Sequence, residues 1–279
     1  MQKIILINIL FLTSMFVNAQ QLTVLTYNVR LDLASDGINA WSNRKDFFAG
    51  QLRFYEPDIF GVQEALPNQV KDIAKALPQY EYVGVGRDGN NTGEASNIFF
   101  KKDRFKKLQS GTFWLSETPN KVSKGWDAAY NRICTYALLI DQFNQKQFWV
   151  FNTHLDNEGV VAREKGIELI VRKINELNNK HLPVILTGDL NSVPTDSVIT
   201  FLNTKFINTR NASQQPPFGP EGSFNNFQYN QPATQLIDYI FISKNSPFNV
   251  NKYAIFSDAK KLHYPSDHFP VWVQLQYKK

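Results

Sequence analysis

The chain has 279 residues, 43% hydrophobic and 14% aromatic, with a formal net charge of +5 and one cysteine. That composition can fill a sizeable core and excludes intrinsic disorder, and a lone thiol excludes a disulfide-stapled scaffold. The basic excess suits an anionic ligand, although charges of both signs are scattered along the chain and the excess alone distinguishes little.

In chain order, Lys3 precedes an apolar run from Ile4 to Val17, and the small residue Ala19 stands just before Gln20 and Gln21. That layout predicts a signal peptide over residues 1–20, since the run is too short to span a bilayer. The expected destination is outside the cytoplasm, secreted or periplasmic. No later stretch predicts a transmembrane segment. Residues 21–279 read as one large domain, with no linker, repeat or low-complexity tract.

The strand-like run LTVLTYNVR is followed by a predicted helix around Arg44 to Tyr55, then the strand PDIFGVQE and a helix around Pro67 to Ala76. From Tyr80 the signal changes to closely spaced strands, YEYVGVG, ASNIFFKK, KLQSGTFWL, ICTYALLI and KQFWVFNTHL, which read as antiparallel neighbours. A charged helix from Val160 to Asn178 leads to PVILTGDLN; after a further helix, LIDYIFIS and PVWVQLQ close the chain. The Gln/Pro/Gly-rich stretch from Ser213 to Gly222 reads as an internal loop. This order fits an α/β fold of two mixed sheets packed face to face with helices outside. Cys134, inside RICTYALLI, reads as a buried structural thiol.

Polar residues recur where hydrophobic strands end: Asn28, Glu64, His154, Asp189, Asn191, Asp238 and the pair Asp267–His268. Any one could be a turn or cap residue. Together, at strand ends that converge on one rim, they describe a hard-metal site with two histidines beside it. Carboxylate and amide oxygens without thiolates favour Mg²⁺, with Mn²⁺ or Ca²⁺ as alternatives, over zinc. No zinc-type Cys/His spacing and no P-loop occur. Arg132 opens a strand behind Tyr130 and reads either as a phosphate clamp or as one half of a surface ion pair. Trp114, Trp126 and Phe224 read either as stacking walls of a substrate cleft or as packing residues. His181 and His263 read as structural or solvated.

The successive motifs LTYNVR, GVQE, NTHLD, LTGDLN, LIDYIF and PSDHFPV, spanning Leu25 to Val271, resemble the signatures of the endonuclease/exonuclease/phosphatase superfamily, the deoxyribonuclease I-like enzymes. The loops FGPEGSFNNF and GTFWLSETPNKVSKGWDAAYNRICTYA are similar to a secreted bacterial subgroup of it. The resemblance implies a four-layer α/β/β/α sandwich and a metal-dependent hydrolase of phosphate esters. It implies metal ligation by Glu64, with Asn28 and Asp267 beside it, and a water-positioning role for Asp189 and Asn191. His268 would contact the scissile phosphate, oriented by Asp238, and His154 would be the second catalytic histidine, paired with Glu94. A carboxylate behind each imidazole would raise its pKa and favour the imidazolium.

Substrate-binding candidates are Arg132, Phe224 and Trp126. The expected partner is a phosphate-ester substrate, nucleic acid or small phosphorylated molecule, phosphodiester ahead of phosphomonoester, bound by a monomer. No basic tract interleaved with aromatics marks a nucleic-acid path. The rival readings are a phospholipase C or sphingomyelinase-type hydrolase, which would need an exposed hydrophobic hairpin, and a non-catalytic binding protein on the same scaffold.

Overall fold

Residues 21–278 are described by the computed structural model, so the expected signal peptide over residues 1–20 lies outside the described residues. Twelve strands within them form two six-stranded sheets. In the first, the order is β11 (Phe248–Ile255), β12 (Val271–Tyr277), β1 (Gln21–Asn28), β2 (Ile59–Gln63), β4 (Ile98–Lys101) and β3 (Tyr80–Val83). In the second, it is β5 (Phe105–Trp114), β6 (Ile133–Asp141), β7 (Gln147–His154), β8 (Val184–Asp189), β10 (Asp238–Ser243) and β9 (Phe206–Asn208). Both sheets are mixed, with β1–β2 and β7–β8 parallel.

Period-two patterning sorts the first sheet's side chains into two cores. Leu22 and Val24 of β1, Ile59 of β2 and Ile98 and Phe100 of β4 join the core shared with the second sheet. The alternate residues Leu25, Tyr27, Phe60, Val62 and Phe99 join a separate core with helices α1 (Trp41–Tyr55) and α2 (Pro67–Ala76). Trp41, Phe48 and Leu52 supply the buried stripe of α1, and Val70 and Ile73 that of α2. On the other side, Ile167, Ile170 and Ile174 of α3 (Val160–Leu177) and Val198, Ile199 and Leu202 of α4 (Ser197–Lys205) cluster with the second sheet. The result is the expected four-layer α/β/β/α sandwich. Helix α2 is opened by Pro67 at a position where no N–H is needed, and Gln69 Oε1 accepts from Leu66 N at 3.1 Å.

The closely spaced strands from Tyr80 to Leu155 do not form one antiparallel series. Strands β3 and β4 belong to the first sheet and β5, β6 and β7 to the second, with the chain crossing between them at Lys102–Arg104. Arg104 explains the crossing, because its buried guanidinium bonds Asp58 beside β2 and Asp141 at the end of β6, each at 2.9 Å. Alternation along a strand reports which face is buried, not which sheet supplies the neighbour.

Toward the C-terminal ends of β1 and β8 the sheets are joined by neutral polar groups. Asn152 on β7 donates from Nδ2 to the Val62 carbonyl at 2.8 Å and the Asn97 carbonyl at 3.0 Å. Its Oδ1 accepts from Gln63 at 2.7 Å and Thr187 at 3.0 Å. Gly61 makes room for this clasp, since a Cβ there would stand 2.5 Å from Asn152 Oδ1 and 2.8 Å from Thr187 Oγ1. Gly61→Ala is therefore expected to cost about 1–3 kcal/mol through overpacking. The check is the urea midpoint at unchanged m-value; a wild-type midpoint would mean that the sheets separate there without penalty.

Candidate active site

The register of the strands dictates where the polar residues meet. Asn28 pairs with Gln63 in the parallel β1–β2 ladder, so Asn28 and Glu64 leave the first sheet at the same edge. His154 pairs with Asp189 in the parallel β7–β8 ladder, and Asp238 faces Asp189 across the antiparallel β8–β10 ladder. Strand β12 runs antiparallel to β1, so Asp267 and His268, which precede it, return to that edge. Four strand ends and two strand starts thus converge on one rim.

Asp189 is central to it and is buried. Its Oδ2 lies 2.9 Å from Asn28 Nδ2, 3.5 Å from His154 Nε2 and 3.8 Å from His268 Nε2, while Oδ1 accepts from Asn191 N at 3.0 Å. His268 Nδ1 bonds Asp238 Oδ2 at 2.8 Å. The other oxygen of Asp238 is buried without a hydrogen-bond partner. Glu64, in the left-handed region at φ 63°, is held by Asn28 Nδ2 at 2.9 Å and by the Leu31 N–H at 3.0 Å. Asp267 lies 3.9 Å from Arg30.

The two imidazoles are driven apart in charge. For His268, burial opposes protonation, but Asp238 and Asp189 outweigh it and hold its pKa well above the ordinary value. For His154, burial comes first and Arg132, His268 and Arg87 add to it, pushing its pKa well below the ordinary value. Geometry agrees: Asn191 Nδ2 donates to the Leu155 carbonyl at 3.0 Å and lies 3.1 Å from His154 Nε2, which therefore accepts. The carboxylates thus favour an imidazolium at His268, whereas burial and the arginines oppose one at His154.

Residues 94 and 96 do turn toward the His154 pocket, which Glu64, Arg87, Glu94, Ser96 and Arg132 line. Yet the Glu94 carboxylate bonds Arg87 at 2.7 Å rather than His154. Burial and the charge of Glu64 raise the pKa of Glu94 to about 7 despite Arg87 and Arg132.

The remaining candidates take these places. Asn28 donates from Nδ2 to Glu64 and Asp189 and orients both carboxylates, while its Oδ1 accepts one hydrogen bond, from Arg30 N at 2.9 Å. Arg132 is in an ion pair, but a buried one: Nε meets Asp156 at 3.1 Å and Nη2 meets Asn157 at 2.8 Å. Trp126 packs against the central core. Phe224, by contrast, stands against His268 with ring centres 5.0 Å apart and walls that side of the site. Trp114 donates from Nε1 to the Arg87 carbonyl, and His181 and His263 are exposed. Cys134 is a buried free thiol.

Residues passed over in the sequence complete the surroundings. Arg87 stacks over Tyr130 at 4.9 Å, and Arg132 lies 5.6 Å from the same ring. Asp156, the last residue of NTHLD, accepts from the N–H groups of Ala129, Tyr130, Glu158 and Gly159 as well as from Arg132. It ties the 116–132 segment to the start of α3.

The donor chemistry fits a hard divalent cation. Burial and Asp238 raise Asp189 to about 7, against His268. Burial likewise raises Asp267, with Glu64 adding to it and His268 opposing. One oxygen each from Glu64 and Asp189 and a nitrogen of His154 lie within 4.8 Å of one another. Clustered negative charge of this kind is what a bound cation would neutralise.

The family model for the endonuclease/exonuclease/phosphatase family matches residues 25–268. A structure of a protein of that family from Bacteroides thetaiotaomicron superposes with a TM-score of 0.88 at 37% identity, covering 92% of this chain and 98% of that one. A mannosyl-6-phosphatase from the same organism superposes with a TM-score of 0.86 at 38% identity, covering 92% and 100%. A probable RNA exonuclease of Schizosaccharomyces pombe is 27% identical over 67% of this chain, which spans 40% of that protein.

Asp156 supplies a pH-dependent contribution to stability. Burial alone would raise its pKa, but the Gly159 and Ala129 N–H groups and Arg132 outweigh it and lower the value to about 2. A depressed carboxyl stabilises the fold above its unfolded pKa, and that contribution is lost as pH falls. Between about pH 4 and about pH 2, wild-type protein is expected to lose roughly 2 kcal/mol more stability than Asp156→Asn, which lacks the ionising group. Chemical denaturation across that range is the measurement; parallel losses would remove Asp156 from this role.

Proposed function

From the premise that this chain belongs to the endonuclease/exonuclease/phosphatase family, we propose that it is a divalent-metal-dependent phosphoesterase releasing phosphate from a small phosphorylated sugar. The observation that carries the reading is the convergence of Glu64, His154, Asp189, Asp238 and His268 on one rim, with Asp267 returning to it just before β12.

Glu64 and Asp267 would hold the ion, with Mg²⁺ favoured by the all-carboxylate donor set. When bound, the ion supplies charge neutralisation on the phosphoryl and leaving oxygens. The remaining roles follow from the chain's own groups. Asp189, raised to about 7, is a carboxylate basic enough to accept a proton from an attacking water. His268, kept charged by Asp238, presents an Nε2–H to a phosphoryl oxygen. His154, neutral, fixes the amide of Asn191 beside that water.

Sequence motifs alone rank phosphodiesters first. The likeness to the mannosyl-6-phosphatase moves a sugar phosphomonoester ahead, because it runs the full length of that protein at the higher identity. For the lipid-cleaving alternative, the most exposed large hydrophobic residues, Ile38, Phe54, Phe218 and Leu262, stand on separate elements and form no hairpin. Among the described residues no helix is long and apolar enough to cross a membrane. Export to the periplasm or medium is part of the proposal and rests on the pattern of residues 1–20; action as a monomer is a further part of it.

The test is hydrolysis of mannose 6-phosphate, p-nitrophenyl phosphate, bis-p-nitrophenyl phosphate, p-nitrophenyl phosphorylcholine and plasmid DNA, each with Mg²⁺, Mn²⁺, Ca²⁺ or EDTA. Turnover of the monoesters, abolished by EDTA and reduced about 10²–10³-fold or more in a folded Glu64→Ala variant, is expected. Preference for DNA or the phosphorylcholine ester would replace the sugar-phosphate reading with the nuclease or lipase one. Turnover that survives EDTA would end the metal-dependent one. Asp238→Asn is expected to lower kcat about 10²–10⁴-fold with little change in KM, because the charge on His268 matters in the transition state. An unchanged kcat would dissolve the His268–Asp238 assignment.

A further inference from the structure

Arg44 is an arginine where a hydrophobic residue belongs. It falls in the buried stripe of α1 with Trp41, Phe48 and Leu52, is 4% exposed, and forms no ion pair. Its guanidinium instead donates to four backbone carbonyls: Asn39 at 2.8 Å, Arg30 at 2.6 Å, Pro265 at 3.1 Å, and Val29. Burying a charge this way costs several kcal/mol unless hydrogen bonds compensate for lost water. A purely structural stripe position would be filled more cheaply by leucine.

The carbonyls it chooses explain its presence. Val29 and Arg30 form the corner that follows β1, and Arg30 there is left-handed at φ 56°. That corner orients Glu64, one oxygen through Asn28 Nδ2 and the other through the Leu31 N–H. Gln69, fully buried on α2, holds the same corner from the other side, donating to the Arg30 carbonyl at 2.8 Å and accepting from Asp32 N at 3.0 Å. Pro265 stands two residues before Asp267, 221 positions away from Arg44 in sequence. One planar fork therefore spans the two segments that carry Glu64's hydrogen bonds and Asp267.

We propose that Arg44, assisted by Gln69, is a positioning residue that sets the spacing of the Glu64 and Asp267 carboxylates and thereby the affinity of the site for a divalent cation. This rests on the reading above that those two carboxylates hold the ion. A lysine at 44 keeps the charge but, as a point donor, loses the fork that joins both segments.

The experiment uses metal-free protein. Mn²⁺ binding is followed by calorimetry, folding by urea denaturation, and kcat and KM at saturating metal, for wild type, Arg44→Lys, Gln69→Met and Glu64→Gln. Expected is a folded Arg44→Lys whose Kd for Mn²⁺ rises about 10–100-fold, with kcat reduced and KM nearly unchanged at saturating Mn²⁺. Folded Arg44→Lys with wild-type Kd and kcat overturns the proposal. Should Arg44→Lys fail to fold, Gln69→Met decides: a weakened Kd supports the positioning role, and an unchanged one overturns it. Glu64→Gln separates the layers. If it leaves Kd unchanged, the metal reading itself falls and this one with it; if it weakens binding while folded Arg44→Lys does not, only the positioning role is lost.

Discussion

The architecture of the rim is governed by negative charge confined in a small, largely buried space. Asp189, Asp238 and Asp267 are buried, Glu64 is half-buried beside them, and among the described residues the one arginine that pairs with any of the four is Arg30, 3.9 Å from Asp267. Buried like charges raise one another's pKa and oppose folding unless something compensates. Here the compensation comes from His268 held charged by Asp238, from N–H groups aimed at Glu64 and Asp189, and from the buried cation Arg44 at one remove. A divalent ion would complete it. Raised carboxyl pKa values clustered at one rim are what the proposed metal site requires.

Holding such a cluster requires two sheets that cannot slide. The Arg104 bridge pins them at the far end with charge, and the Asn152 clasp pins them near the rim with neutral amides. A neutral clasp is the appropriate choice there, since a further ion beside Asp189 would compete with the electrostatics of the site. Gly61 is what permits it, so a residue remote from the reacting groups bears on the geometry of Asn28 and Asp189, which face each other across the same gap.

Much of this was legible in the sequence, and the reasons divide cleanly. Strand ends could be read because a hydrophobic run that stops at Asn, Asp, Glu or His marks both the element and its polar tip; Asn28, Glu64, His154, Asp189, Asp238 and His268 all reach the rim on that logic. Partner choice could not be read. Glu94 turns to the right pocket but bonds Arg87, because only folding brings the GRDGNNTGE loop back on itself to place the two side by side. Sheet membership of β4 and β5 was hidden for the same reason. Arg44 did leave a signal, a charged residue on the apolar stripe of α1, and Asp156 ended a recognised motif; neither has meaning until the backbone groups it bonds are near it in space.

The opposite protonation of the histidines follows from which neighbours the fold gives them. His268 has carboxylates at both nitrogens, at 2.8 Å and 3.8 Å, which favour its charged form and raise its pKa against burial. His154 faces Asp189 at 3.5 Å too, but burial, then Arg132, His268 and Arg87, lower its pKa, and Asn191 presents it with a donor. Asp156 and Glu94 bear on His154 indirectly: each fixes an arginine whose charge adds to burial in lowering its pKa. In the proposed mechanism, with His268 donating, His154 accepting and Asp189 between them, a proton taken from water and a proton offered to phosphate would have separate addresses on the same rim.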